Sequence, residues 1–272
     1  MGNGNYVVAD KLAYSIYQND FSQFTRVISK VLDINRNLVI SSAVAAELGI
    51  PLDWDPPLIH LVCYLKQKFF LVFLFQAFHD INVNIQDQFG FTALMNSVKY
   101  GSSEFVEILL ENGSDVFISN QYDSGDTALH YSCDNGDLRT HMILLGYTRI
   151  VDVVNNEGMT PLMYAVQKKH EKIVEKLVKT GADPYLPDKT NSSALDYSKK
   201  SGFSEKMMKI LNEFPLTNKH QKSNDPNDAS LIVTDRTFVT ENEEIQTSNK
   251  IVRTLFKGLD YFITDQLTWT KD

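Results

Sequence analysis

The sequence predicts an all-α solenoid, a stack of helix-turn-helix units, and three observations lead there. A hydroxyl residue suited to capping a helix recurs at Thr92, Thr127, Thr160 and Ser193, at spacings of 35, 33 and 33 residues. Behind the caps, apolar residues fall at helical spacing in two successive runs per unit. A single unit of this kind cannot bury its own apolar face, so copies in series must stack on one another.

The stretch from Asn155 to Asp188 shows the grammar best. Asn155 to Gly158 form a polar turn. Thr160 then caps a helix, Pro161 occupies the first helical position where no N–H is needed, and Leu162, Ala165 and Val166 supply an apolar stripe. A second helix carries Ile173, Val174, Leu177 and Val178, and Gly181 ends it in a conformation that other residues reach only at a cost. The same order recurs in DQFGFTALMNSVKYGSSEFVEILLENGSD from Asp87, in DSGDTALHYSCDNGD around Thr127 and in NSSALDYSKKSGFSEKMMKIL around Ser193. The cap tetrads read TALM, TALH, TPLM and SALD, each a fragment of Thr-Pro-Leu-His. This pattern resembles the ankyrin repeat, whose period is about 33 residues.

Composition bounds the alternatives. A net charge of −8 would be repelled by a phosphate backbone, which disfavours nucleic acid as a partner. Cys63 and Cys133 are the only cysteines, no signal peptide opens the chain, and no apolar run reaches membrane-spanning length. The expected location is cytoplasmic or nuclear, and the expected state is a monomer.

In chain order, Gly2 raises N-myristoylation, but Tyr6 stands where that motif wants Ser or Thr, so a flexible terminus is the expectation. Leu12 to Asn35 reads as two short amphipathic helices around Gln18-Asn19-Asp20, with Val27, Ile28 and Val31 as core. That pair suits a degenerate capping repeat. Arg36 to Pro56 is too long for a hairpin, and Ser41 and Ser42 are placed to cap a short inserted helix. PLIHLVCYL reads as a first helix, and FFLVFLFQAF from Phe69 to Phe78 as a second one, buried between neighbours. The domain reading is therefore degenerate N-terminal repeats over 1–84 with an insertion at about 36–56, and four repeats over 85–214. A flexible linker over 215–248 and an amphipathic helix over 249–268 follow. In that helix Ile251, Val252, Leu255, Phe256, Leu259, Phe262, Ile263 and Leu267 share one face.

A search for chemistry returns little. His60 with Cys63 and His130 with Cys133 have zinc-ligand spacing, but the register puts the pairs two repeats apart, beyond the reach of a shared metal. No phosphate loop, nucleophile elbow or H-E-x-x-H helix occurs, and the carboxylates are scattered, so neither catalysis nor a cofactor is expected. The lysines from Lys168 to Lys179 alternate with Glu171 and Glu175 as a solvated helix face would.

What remains is a surface for proteins. The resemblance implies a concave groove lined by hairpin tips and first helices, onto which it carries Gln88, Phe89 and Phe91, then Tyr122, Asp123 and Asp126, then Glu157 and Met159. Tyr131, Tyr164 and Tyr197 are spaced by 33 residues and form a ladder behind them, either as partner anchors or as hairpin braces. Asp123, Asp126, Asp134 and Glu157 would favour a basic partner. The expected function is a non-enzymatic adaptor or regulator. The alternative is a peripheral membrane organiser using the C-terminal helix and the 69–78 run.

Overall fold

A computed structural model describes residues 3–212 apart from 32, 149, 203 and 204. The chain there is helical, with four isolated β-bridges and no strand among the described residues. The linker and helix expected over 215–268 lie outside the described residues.

Five helix pairs are built from the repeats: α4 (Leu58–Tyr64) with α5 (Lys68–Ala77), α6 (Ala93–Lys99) with α7 (Ser103–Glu111), α8 (Ala128–Asn135) with α9 (Leu138–Tyr147), α10 (Pro161–Gln167) with α11 (Glu171–Thr180), and α12 (Ala194–Ser201) with α13 (Glu205–Asn212). They follow α1 (Asn3–Tyr17), α2 (Phe21–Ile28) and α3 (Ser42–Leu48). The expected caps all stand at N-cap positions. The hydroxyls of Thr92, Thr160 and Ser193 accept the backbone N–H three residues on, from Met95, Met163 and Asp196. Pro161 occupies the first position of α10, and Gly181 closes α11 at φ +106°.

Stacking produces two helical layers. α4, α6, α8, α10 and α12 pack on one another in order, and α7, α9, α11 and α13 do the same behind them. Leu94, Leu129 and Leu162 are each 2 % exposed or less, as are Leu109, Leu144 and Leu177 in the outer layer. Each leucine therefore meets apolar neighbours from the repeat before and after it. No repeat could bury these side chains alone.

The N-terminal region departs from expectation at its start and resolves the inserted segment. α1 begins at Asn3, so the terminus is helical where a flexible tail was expected. The inserted segment packs, a point that its sequence leaves open. Asn37 bridges Pro57 just as Gln86 bridges Thr92, so residues 38–56 form an enlarged hairpin. Ser41 caps α3 as expected, and Leu38, Ile40, Val44, Leu48 and Trp54 are buried in the main core. Polar ties fix its orientation, from the Ser41 N–H to Asp10 Oδ1 at 2.8 Å and from the Tyr64 hydroxyl to the Gly49 carbonyl at 2.6 Å. The apolar run in α5 is consumed by a phenylalanine cluster: Phe70 meets Phe24 edge-on at 4.8 Å, and Phe21 meets Phe69 and Phe73 at 4.9 and 4.8 Å. Phe70, Leu71 and Leu74 are fully buried, while Phe69, Val72, Phe73, Phe75 and Phe78 are half-buried, so the run serves the core first and offers the membrane alternative a reduced surface.

One recurring tie carries a testable consequence. Asn35 Oδ1 accepts the Asn82 N–H, Asn84 Oδ1 accepts the Asp115 N–H, and Asp152 takes the same place against the Asp183 N–H at 3.1 Å. Burial raises the Asp152 carboxyl from 3.8 to about 7, against the lowering effect of that hydrogen bond, with the nearby Asp183 charge adding to the rise. The folded state then holds a proton that the unfolded state releases between pH 4 and 7, so this residue makes stability fall as pH rises through that window. Asp152→Asn, which copies the two upstream units, is expected to raise the unfolding free energy at pH 8 by on the order of 2 kcal/mol, read as a higher denaturation midpoint, with the gain shrinking toward pH 5. Equal midpoints at pH 8 would show that the carboxylate is solvated as well as an exposed one.

Candidate partner-binding site

The hairpins between the helix pairs are built by one local device. Asp87, Asn120, Asn155 and Asp188 each turn a side-chain oxygen back on the N–H groups that follow, as Asp87 Oδ1 does at 3.0 Å to Phe89 and 2.9 Å to Phe91. Such turns need a residue at positive φ, supplied by Gly90, Gly125, Gly158 and Asn191. Gly90 has a second reason to be glycine. A Cβ there would come within 2.6 Å of the Tyr122 ring on the next hairpin. The hairpin at 119–127 has seven residues between its bridge positions against five at 86–92 and 187–193, and its tip carries the exposed Tyr122.

Braces tie neighbouring hairpins to each other and to the first helices. The Asn156 N–H donates to the Ser124 carbonyl at 2.8 Å and the Lys189 N–H to the Glu157 carbonyl at 2.9 Å. His130 is a brace: its Nδ1 accepts the Thr127 N–H and its Nε2 donates to the Met159 carbonyl at 3.0 Å. Burial lowers its proton affinity, which keeps the ring neutral for this double role. His60 repeats the contact with the Ile85 carbonyl at 2.9 Å. Cys63 and Cys133 are buried free thiols on the same helices, and burial pushes Cys63 up to about 12, so it holds no thiolate at neutral pH.

This geometry sorts the residues assigned to the groove. Asp126 is 5 % exposed and accepts from Asn155 Nδ2 at 2.8 Å and from the Tyr164 hydroxyl at 2.9 Å, so it is a brace and not a partner contact. Met159 and Tyr131 are likewise buried, Met159 because its hairpin turns the side chain onto the helices and Tyr131 as part of α8 itself. Tyr131 packs on Phe91 at 5.6 Å, and burial raises its hydroxyl to about 12. The ladder divides along the same line. Tyr164 is bound to Asp126 and Tyr197 to Asp188, so two of the three ladder residues brace the hairpins with half-buried rings, while Tyr131 is held by packing. Asp134 is half exposed and paired with Lys168 at 2.7 Å, a contact worth little at such exposure. Phe89, Tyr122, Asp123 and Glu157 remain exposed, with Tyr122 at 78 %. Two acids, not four, are therefore presented there.

A cavity of about 580 Å³ at the N-terminal end of this face had no counterpart in the sequence reading. Trp54 from the insertion, Tyr64 from α4, and Phe91, Lys99 and Tyr100 around α6 line it. The bulky Trp54 in a segment too long for a turn was the available signal. Its indole N–H donates to Asp87 Oδ2 at 3.0 Å, which seats the insertion on the first regular hairpin.

Comparison with known proteins agrees with this architecture. The sequence model of ankyrin repeats (three copies) matches residues 58–150 and 115–188. An ankyrin repeat protein of Fowlpox virus (strain NVSL) is 30 % identical over 131 residues, which cover 47 % of this chain and 38 % of that protein. The palmitoyltransferase AKR1 of Candida albicans is 31 % identical over 98 residues, covering 36 % of this chain and 12 % of the transferase. The chain thus spans well under half the length of the curated relatives it matches. Among solved structures, a chain in the complex of a predatory endopeptidase from Bdellovibrio bacteriovorus with an immunity protein aligns at a TM-score of 0.58 and 22 % identity, over 74 % of this chain and 96 % of that one. That likeness is one of fold.

Proposed function

We propose that this chain, which is an ankyrin-repeat protein, is a non-enzymatic adaptor or regulator that holds a protein partner on its concave hairpin face. Ankyrin repeats are generally protein-interaction modules, and that much holds for the family. The observation that carries the finer reading is the row of exposed tips, Phe89, Tyr122, Asp123 and Glu157, on hairpins held rigid by buried braces. Aromatic anchors on a fixed frame lose little entropy on binding, which is how a few residues come to dominate an interface. Among the described residues no three His, Cys, Asp or Glu side chains gather to hold a metal, and no helix is long and apolar enough to cross a membrane.

The test is affinity capture with mass spectrometry from the native cell, comparing the full chain with Tyr122→Ala/Asp123→Ala. Both side chains are exposed, so helicity and melting should not change. Loss of an anchor is expected to weaken one partner by roughly 30-fold or more. Undiminished recovery of every partner would place recognition off this face.

A further inference from the structure

The cavity at the N-terminal end of the concave face is selective in its chemistry. Its walls are aromatic, with Trp54 and Tyr64 meeting edge-on at 5.2 Å and Tyr64 and Tyr100 at 6.1 Å. Its carboxylate is already committed. Asp87 is 5 % exposed and accepts from two backbone N–H groups, from the Trp54 indole at 3.0 Å and from Asn96 at 3.3 Å. The other charges in its lining are Lys66 and Lys99, both exposed. Among the described residues neither ammonium group has a carboxylate partner. Lys99 lies 4.6 Å from the Phe91 ring centroid, so the protein's own cation takes the aromatic face that a cationic ligand would use. In the lining, the Ser97 hydroxyl is 4 % exposed and has no hydrogen-bond partner beyond the weakly bonding Cys63 thiol beside it.

We infer that this cavity is a recognition pocket for a peptide segment of a partner protein in which an aromatic side chain is flanked by carboxylates. The inference rests on the concave-face reading and names the partner's chemistry at one end of it. The aromatic side chain enters between Trp54, Tyr64 and Tyr100, and the flanking carboxylates reach Lys66 and Lys99. About 580 Å³ is ample for one large side chain with its peptide backbone, within the usual span of ligand pockets. A basic segment would meet two lysines and a carboxylate with no capacity left. The insertion makes the pocket, because Leu48, Pro51 and Trp54 form one wall of it.

The two tryptophans of the chain are Trp54 and Trp269, so a full-length Trp269→Phe background makes emission report on the pocket. Three blocked peptides serve as probes: Gly-Asp-Glu-Phe-Asp-Gly, the same with Lys and Arg for the acids, and the acidic peptide with Ala for Phe. Saturable change is expected with the first alone. Lys66→Glu/Lys99→Glu is expected to weaken it by about tenfold or more without moving the melting temperature, and Tyr100→Ala, at a half-exposed ring, to weaken it similarly. Four results overturn the inference: saturation by the basic peptide, equal binding of the alanine peptide, indifference to the double charge reversal, or no saturation by any probe at millimolar concentration. If the Tyr122→Ala/Asp123→Ala variant loses its partner while the acidic probe fails, the pocket inference falls and the concave-face reading stands.

Discussion

Phe70→Ala is expected to unfold the N-terminal end of the protein first, at a local cost of about 3–5 kcal/mol. Phe70 is fully buried and meets Phe24 edge-on at 4.8 Å, with Phe21 and Phe69 each at 6.0 Å. Truncation leaves a cavity among large rings held from separate helices and removes edge-to-face contacts worth more than their area. A compact single-core protein would spread the loss over every residue. A solenoid does not, because each unit couples only to its neighbours. Hydrogen exchange in the variant should therefore accelerate in α1, α2 and α5 while α10 and α12 keep their protection. Equal loss of protection in α10 and α12 would mean that the stack unfolds as one cooperative block. The same experiment bears on the pocket, since α3 packs on α1 and loosening that end should release Trp54.

The sequence made the repeat frame legible because its signals are local. A capping hydroxyl, a proline at the first helical position and a glycine at positive φ each act within a few residues of themselves, so Thr92, Thr160 and Gly181 could be assigned without any tertiary knowledge. Ser41 told of α3 for the same reason. What escaped was the direction of side chains in the hairpins. Asp123 and Asp126 are three residues apart in one polar turn, yet one is exposed and the other is 5 % exposed beneath the next repeat. Nothing in the turn's composition separates them, because the partner that buries Asp126 is Tyr164, 38 residues on. The cavity was hidden for a similar reason: Trp54 and Tyr100 share it only because the insertion folds back on the first regular hairpin. The recurring Asp or Asn that opens each hairpin was visible throughout, at spacings of 33, 35 and 33 residues, offset from the 35, 33 and 33 of the caps because the two extra residues of the second hairpin lie between Asn120 and Thr127.

Asp126→Ala separates a brace from a contact residue. In the folded protein this carboxylate accepts from the Tyr164 hydroxyl and Asn155 Nδ2, and also from the Ser124 hydroxyl. Alanine takes the acceptor from the Tyr164 and Ser124 hydroxyls and the shorter of two bonds from Asn155 Nδ2, which keeps the Tyr164 hydroxyl at 3.2 Å, and a donor left unpaired on the inner side of the hairpins costs about 1–3 kcal/mol. Roughly 3 kcal/mol of lost stability is expected, more than a surface acid of the groove would give. Tyr164→Phe removes one of the donors, so it should cost less by itself and recover part of the loss when combined with Asp126→Ala. A double-mutant cycle read by urea denaturation should give a coupling of about 1–2 kcal/mol. If Asp126→Ala instead leaves stability untouched and weakens a partner, the residue belongs to the binding surface after all. The brace account has a further consequence for recognition. Asp126 and Asn155 join the hairpins that carry Tyr122 and Glu157, so breaking that tie lets the two tips move independently. A partner that spans both tips would then be bound more weakly through a residue it never touches, with the loss appearing together with the loss of stability.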